Sequence, residues 1–101
     1  MNEVKLITGD DGKTECHVFA AEGWDDCQSL ARFLTKYYGA IVISQEDRIF
    51  TREWILAVGT VQLYLRHHED IGNYLSPDVA TSEAVELLNR IADDLRARLS
   101  T

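Results

Sequence analysis

The chain predicts an α+β fold, an antiparallel-rich sheet of about six strands in the order β-β-α-β-β-β-β-α, with two helices packed on one face. Three observations carry this. Glu53 to Arg66, EWILAVGTVQLYLR, reads as two strands folded back on each other at Gly59-Thr60. Two stretches, Trp24 to Gly39 and Thr81 to Leu99, repeat apolar residues at helical spacing. Clusters of turn formers separate the remaining short apolar runs.

Val4 to Thr8 and Thr14 to Ala21 form a first antiparallel pair across the turn formers Gly9-Asp10-Asp11-Gly12-Lys13. Val18 and Phe19 are adjacent and bulky, so one enters the core and the other reaches the second face of the sheet. The period then changes. Cys27, Leu30, Ala31, Leu34, Tyr37 and Tyr38 make one apolar stripe along a helix, with Asp25 as N-cap, Gln28 completing a capping box, and Gly39 as left-handed stop. Phe33 falls off the stripe and either widens it or leaves an exposed ring.

Ala40 to Ser44, AIVIS, is nearly continuous in β-branched residues and reads as a buried strand. Gln45 to Arg48 is a polar turn, and Ile49 begins the strand leading to Trp54. Glycine first in a two-residue loop suits a type II′ turn at Gly59-Thr60. That turn sets Val58 opposite Val61, Leu56 opposite Leu63 and Trp54 opposite Leu65 on one face. Ala57 then meets Gln62, Ile55 meets Tyr64, and Glu53 meets Arg66 on the other. A slip of one residue would bury Gln62 and Arg66, so hydrophobic pattern and turn chemistry select one register. Ile71 to Leu75 forms a last short strand, stopped by Ser76-Pro77. The second helix starts at Thr81 or Ser82, buries Ala84, Leu88, Ile91, Ala92, Leu95 and Leu99, and carries the pairs Glu86/Arg90 and Asp94/Arg98 on its solvent side.

With 101 residues the chain has room for one domain. Its 46% hydrophobic and 27% charged residues place it among globular proteins, not disordered ones. No apolar run approaches the roughly 20 residues that cross a bilayer, and the N-terminus lacks the basic start and apolar block of a signal peptide. A cytoplasmic location with no membrane partner is the expectation, and Cys16 and Cys27 are then reduced thiols. Seventeen acids against ten bases leave a formal charge of −7. That charge repels nucleic-acid backbones and suits a basic protein partner.

Candidate chemistry is sparse. His67-His68-Glu69-Asp70 offers metal-ligand types, but successive strand residues point to opposite faces and cannot converge on one ion. Cys16-His17 fails as a nucleophile and base for the same reason, and no CxxC accompanies Cys27. The carboxylate pairs Asp10-Asp11, Asp25-Asp26 and Asp93-Asp94 fall on a turn, a helix start and a helix face. No phosphate-binding loop or GxSxG elbow is present. The expectation is therefore no catalytic, cofactor or metal site. What stands out is a surface: the second face of the hairpin carries Ile55, Ala57 and Tyr64, with Phe19 and Tyr74 beside them, and it is either a contact surface or a face that a helix covers too. Ile55, Tyr64 and Tyr74, rimmed by the acids Glu69 and Asp70, are the candidate protein-binding residues.

The run from Arg52 to Leu75 followed by a terminal amphipathic helix resembles small bacterial α+β families of unknown function. More loosely, it is similar to compact acidic immunity proteins that neutralise a toxin. The second resemblance implies a regulatory or immunity-type protein-binding module with a basic partner. The alternatives are a homodimer associating through the second sheet face, or through an edge near Ile71 to Leu75, and a small metal-dependent or thiol enzyme using His67, His68, Glu69 and Cys16.

Overall fold

The computed structural model describes residues 4–9, 12–19 and 23–99. Its elements run β1 (Val4–Thr8), β2 (Thr14–Val18), α1 (Trp24–Tyr38), β3 (Ile41–Asp47), β4 (Thr51–Val58), β5 (Val61–His68), β6 (Gly72–Pro77) and α2 (Ser82–Leu99). The six strands form one fully antiparallel sheet in the spatial order β1-β2-β6-β5-β4-β3. Both helices pack on one face, chiefly over β1, β2, β5 and β6.

The β4–β5 hairpin takes the expected register along its whole length, from Val58 opposite Val61 to Thr51 opposite His68. Gly59 has φ +61° and, among the described residues, no non-glycine residue has positive φ. A type I′ turn would need positive φ at Thr60 as well, so the glycine-first type II′ turn is the one that fits. Trp54, Leu56, Val61, Leu63 and Leu65 are buried on the helix side, where Cys16, Val18, Leu75 and the stripes of both helices complete the core. Phe33 packs against that core and so widens the α1 stripe. Thr81 caps α2 by accepting the Ala84 N–H at 3.1 Å. Asp94 pairs with Arg98 at 2.8 Å, whereas Glu86 and Arg90 form no ion pair among the described residues. The Leu99 side chain lies outside the described residues.

Several expectations are overturned. Ile41 to Ser44 of the AIVIS segment are not buried: β3 is an edge strand and all seven of its residues are exposed, and only Ala40, ahead of the strand, joins the core. The β-branched run supplies strand propensity without burial, because neither helix extends over it. The strand also continues through Gln45 to Asp47, and Ile49 lies at the hairpin tip, two residues ahead of β4. Conversely the Ile71–Leu75 segment provides no sheet edge, since β6 is held between β2 and β5. At the start of α1 the capping carboxylate is Asp26, which accepts the Gly23 N–H at 3.0 Å, in place of Asp25 with Gln28. Tyr37 is 48% exposed, not part of the buried stripe. The first hairpin pairs Val4 to Thr8 with Val18 to Thr14. The expected extension of β2 over Ala20 and Ala21 falls outside the described residues.

Candidate functional site on the open sheet face

Because both helices lie on one side, the alternate residues of every strand form a second face that no helix covers. Strand register sets its rows. Lys5, His17, Tyr74, Arg66, Glu53 and Glu46 are successive cross-strand partners, and so are Ile7 and Glu15 on one side and Ser76, Tyr64, Ile55 and Ser44 on the other. Pairing of β2 with β6 therefore brings residues from opposite ends of the chain into one tract.

The tract is aromatic and ordered. The Tyr74 ring stacks on His17 with centroids 5.0 Å apart and planes 9° apart, and His17 stacks on Phe19 at 5.7 Å. The Arg66 guanidinium lies 4.2 Å from the Tyr64 ring centroid. It donates from Nε to Glu53 at 2.9 Å and from an Nη to Ser76 at 3.2 Å. Tyr64 donates its hydroxyl to Asp78 at 3.2 Å. That bond holds the phenol proton, so the Tyr64 pKa lies above its ordinary value; burial does the same for Tyr74. Both hydroxyls thus stay neutral and able to donate at physiological pH. A hollow of about 360 Å³ opens on this face, lined among others by Glu46, Arg48, Glu53, Arg66, His68 and Tyr74. Arginine and tyrosine side chains locked in place by neighbours are what contact surfaces use as anchors, since little rotamer freedom is left to lose on binding.

Of the residues expected to bind a protein, Ile55, Tyr64 and Tyr74 do share this face. Glu69 and Asp70 do not join them. Both belong to the β5–β6 turn at one end of the sheet, where the Glu69 N–H donates to Phe50 O at 3.2 Å and the Asp70 N–H to His68 Nδ1 at 3.1 Å. Arg66, expected on this face as the partner of Glu53, belongs to the tract, and so do His17 and Ser76, which were not anticipated. The signal for His17, the β2–β6 register, joins segments more than fifty residues apart and is written in no turn.

His67 and His68 point to opposite faces. His67 is buried on the core side, where Nδ1 meets Asn73 Oδ1 at 2.9 Å. Among the described residues no group of three or more His, Cys, Asp or Glu side chains is placed to hold a metal ion. Cys16 and Cys27 are free, buried thiols, and burial pushes each up to about 11, against the weaker opposing pull of Arg96 on Cys16 and Arg52 on Cys27. They are protonated at neutral pH and poor nucleophiles.

The protein families known by sequence models, the curated proteins and the solved structures were all compared with this chain. None matches it. Its function is therefore argued from the surface itself. No helix among the described residues is long and apolar enough to cross a membrane.

Proposed function

We propose that this chain is a non-enzymatic protein-binding module of immunity or regulatory type, which engages a basic partner through its open sheet face. The observation that supports this reading is the ordered tract Phe19–His17–Tyr74–Arg66–Tyr64–Ile55, left uncovered by either helix. Antiparallel sheets commonly turn one face to water, but a solvated face needs no stacked rings and no arginine braced by two partners. The formal charge of −7 supports a basic partner, which it would steer during association. The resemblance to acidic immunity proteins points the same way. Capture from extract of the source organism tests the pairing: a basic protein is retained at low salt and released near 0.5 M, where charges are screened beyond roughly 4–5 Å. Retention that is indifferent to salt contradicts the steering role.

Self-association is a second reading, and the exposed edge strand β3 favours it. Ile41, Val42 and Ile43 are 68%, 38% and 51% exposed at an outer edge whose hydrogen-bonding groups face solvent. Edges of this kind recruit a further strand unless charge, proline or a bulge blocks them. The register shift between Val42 and Ser44 bends this one locally, and Glu46 and Asp47 charge only its far end. Two copies paired about the apolar half keep those acids apart and form a dimer with two-fold symmetry. Sedimentation at high micromolar concentration decides it: a dimer abolished by Ile43→Lys supports edge pairing, and a monomeric mass for the unaltered chain rejects it.

A further inference from the structure

At one end of the sheet, away from the tyrosine tract, the tip of the β3–β4 hairpin projects Ile49 and Phe50 into solvent, 85% and 59% exposed. A groove of about 460 Å³ runs beneath them, lined by Gly23, Trp24, Ile49, Phe50, His67 and Glu69. Its walls are firm. Phe50 O accepts from Glu69, the Trp24 ring meets His67 edge-on at 5.4 Å, and Asn73 Nδ2 donates to Gly23 O at 2.9 Å. Its rim is acidic: Glu69 lines the groove, Asp70 follows it, and Asp25 follows Trp24 in the first turn of α1, all three exposed. None of the ion pairs among the described residues uses these three carboxylates; Arg48 is turned to Glu46, while Arg52 pairs with Asp47 at 3.5 Å and stacks its guanidinium on one face of the Trp24 ring, 3.9 Å from the centroid.

We infer that this groove docks a basic amphipathic segment of another protein, its apolar side chains against Ile49, Phe50 and Trp24 and its lysines or arginines against Asp25, Glu69 and Asp70. Charge complementarity selects this occupant. A second copy would set one acidic rim against another, and an anionic bilayer would meet the same repulsion. The groove adjoins the hollow on the open sheet face, His67 lining both, but its other walls are its own, so it adds a contact to the proposed module and does not depend on it.

A short synthetic Leu/Lys amphipathic peptide is the probe, with its Leu/Glu counterpart as control, followed by amide chemical shifts. The Leu/Lys peptide is expected to bind, to shift residues 23–25, 49–50 and 69–71, and to leave Tyr64 and Tyr74 unmoved. The Leu/Glu peptide is expected not to bind. Ile49→Ser/Phe50→Ser alters only exposed side chains, so the fold should persist, and it should weaken binding about tenfold or more. Glu69→Gln/Asp70→Asn should weaken it severalfold at low salt and little at high salt. Three outcomes overturn the inference: equal binding of both peptides, shifts centred on the open face, or a dimer of the free chain that the serine pair dissolves. The second of these would sink the groove while leaving the open-face reading standing.

Discussion

Asn73 is fully buried, at 1% exposure, and serves two elements at once: its Oδ1 meets His67 and its Nδ2 donates to Gly23 O at the start of α1. Asn73→Ala leaves the buried His67 ring nitrogen and the part-buried Gly23 carbonyl without these bonds. The expected loss is about 1–3 kcal/mol in urea unfolding, and a loss below about 0.5 kcal/mol, the scale of an ordinary surface change, would show that water or a shift in packing replaces both bonds. The thiols give a pH dependence. An unfolded chain ionises its cysteines near their ordinary value of 9.0, whereas the folded chain holds the protons up to about 11. Between those values the unfolded state binds fewer protons, so stability is fully present below about pH 9 and falls as pH rises towards 11. Urea midpoints that decline across this window, with no labelling of either thiol in the native chain near neutral pH, are the expected result. Fast native labelling would contradict it. At this scale the sequence was partly legible. The alternation that makes His67 and His68 diverge is local, but the partner that buries His67 belongs to another strand.

Among the elements, the β4–β5 hairpin was readable in full, because its register depends on two adjacent signals: a glycine where φ must be positive, and the placing of Gln62 and Arg66, which any slip of one residue would bury. Gly59→Ala keeps open space around the added methyl but forces an L side chain into φ +61°. The cost should be about 1–2 kcal/mol in unfolding free energy with the register unchanged, and an unaltered stability would reject the assigned turn. Strand β3 was misread for a related reason. A run of β-branched residues reports strand propensity, and whether a strand is buried depends on where the helices stop, which those residues do not encode. The same holds for Ile49 and Phe50, two apolar residues that looked like the beginning of a strand and form a projecting tip.

Across the whole molecule, helical periodicity and the count of strands sufficed for the α+β class with both helices on one side. The strand order was not legible. The chain returns after α1 to lay β3 at the far edge and brings β6 back against β2, a pairing closed over more than fifty intervening residues. That closure assembles the candidate site, since it sets His17 beside Tyr74 and extends the aromatic tract from the first hairpin to the third. It also explains why Ile55, Tyr64 and Tyr74 were found while His17 was not: tyrosines and isoleucines stand out on a polar face, whereas a histidine joins the tract only once its neighbours are known. The groove under Ile49 and Phe50 lies at one end of the same scaffold, next to the hollow of the open face, so the proposed module has two candidate surfaces. The claim that the open face is the binding surface is tested most directly by quantitative capture from source extract with two baits at low salt, the unaltered chain and Tyr64→Ser/Tyr74→Ser. Tyrosines at the centre of a contact carry a large share of its energy. The account predicts a basic protein enriched on the unaltered chain and depleted about tenfold or more on the serine bait, both baits sharing one folded circular-dichroism spectrum. Equal recovery on two folded baits would contradict it.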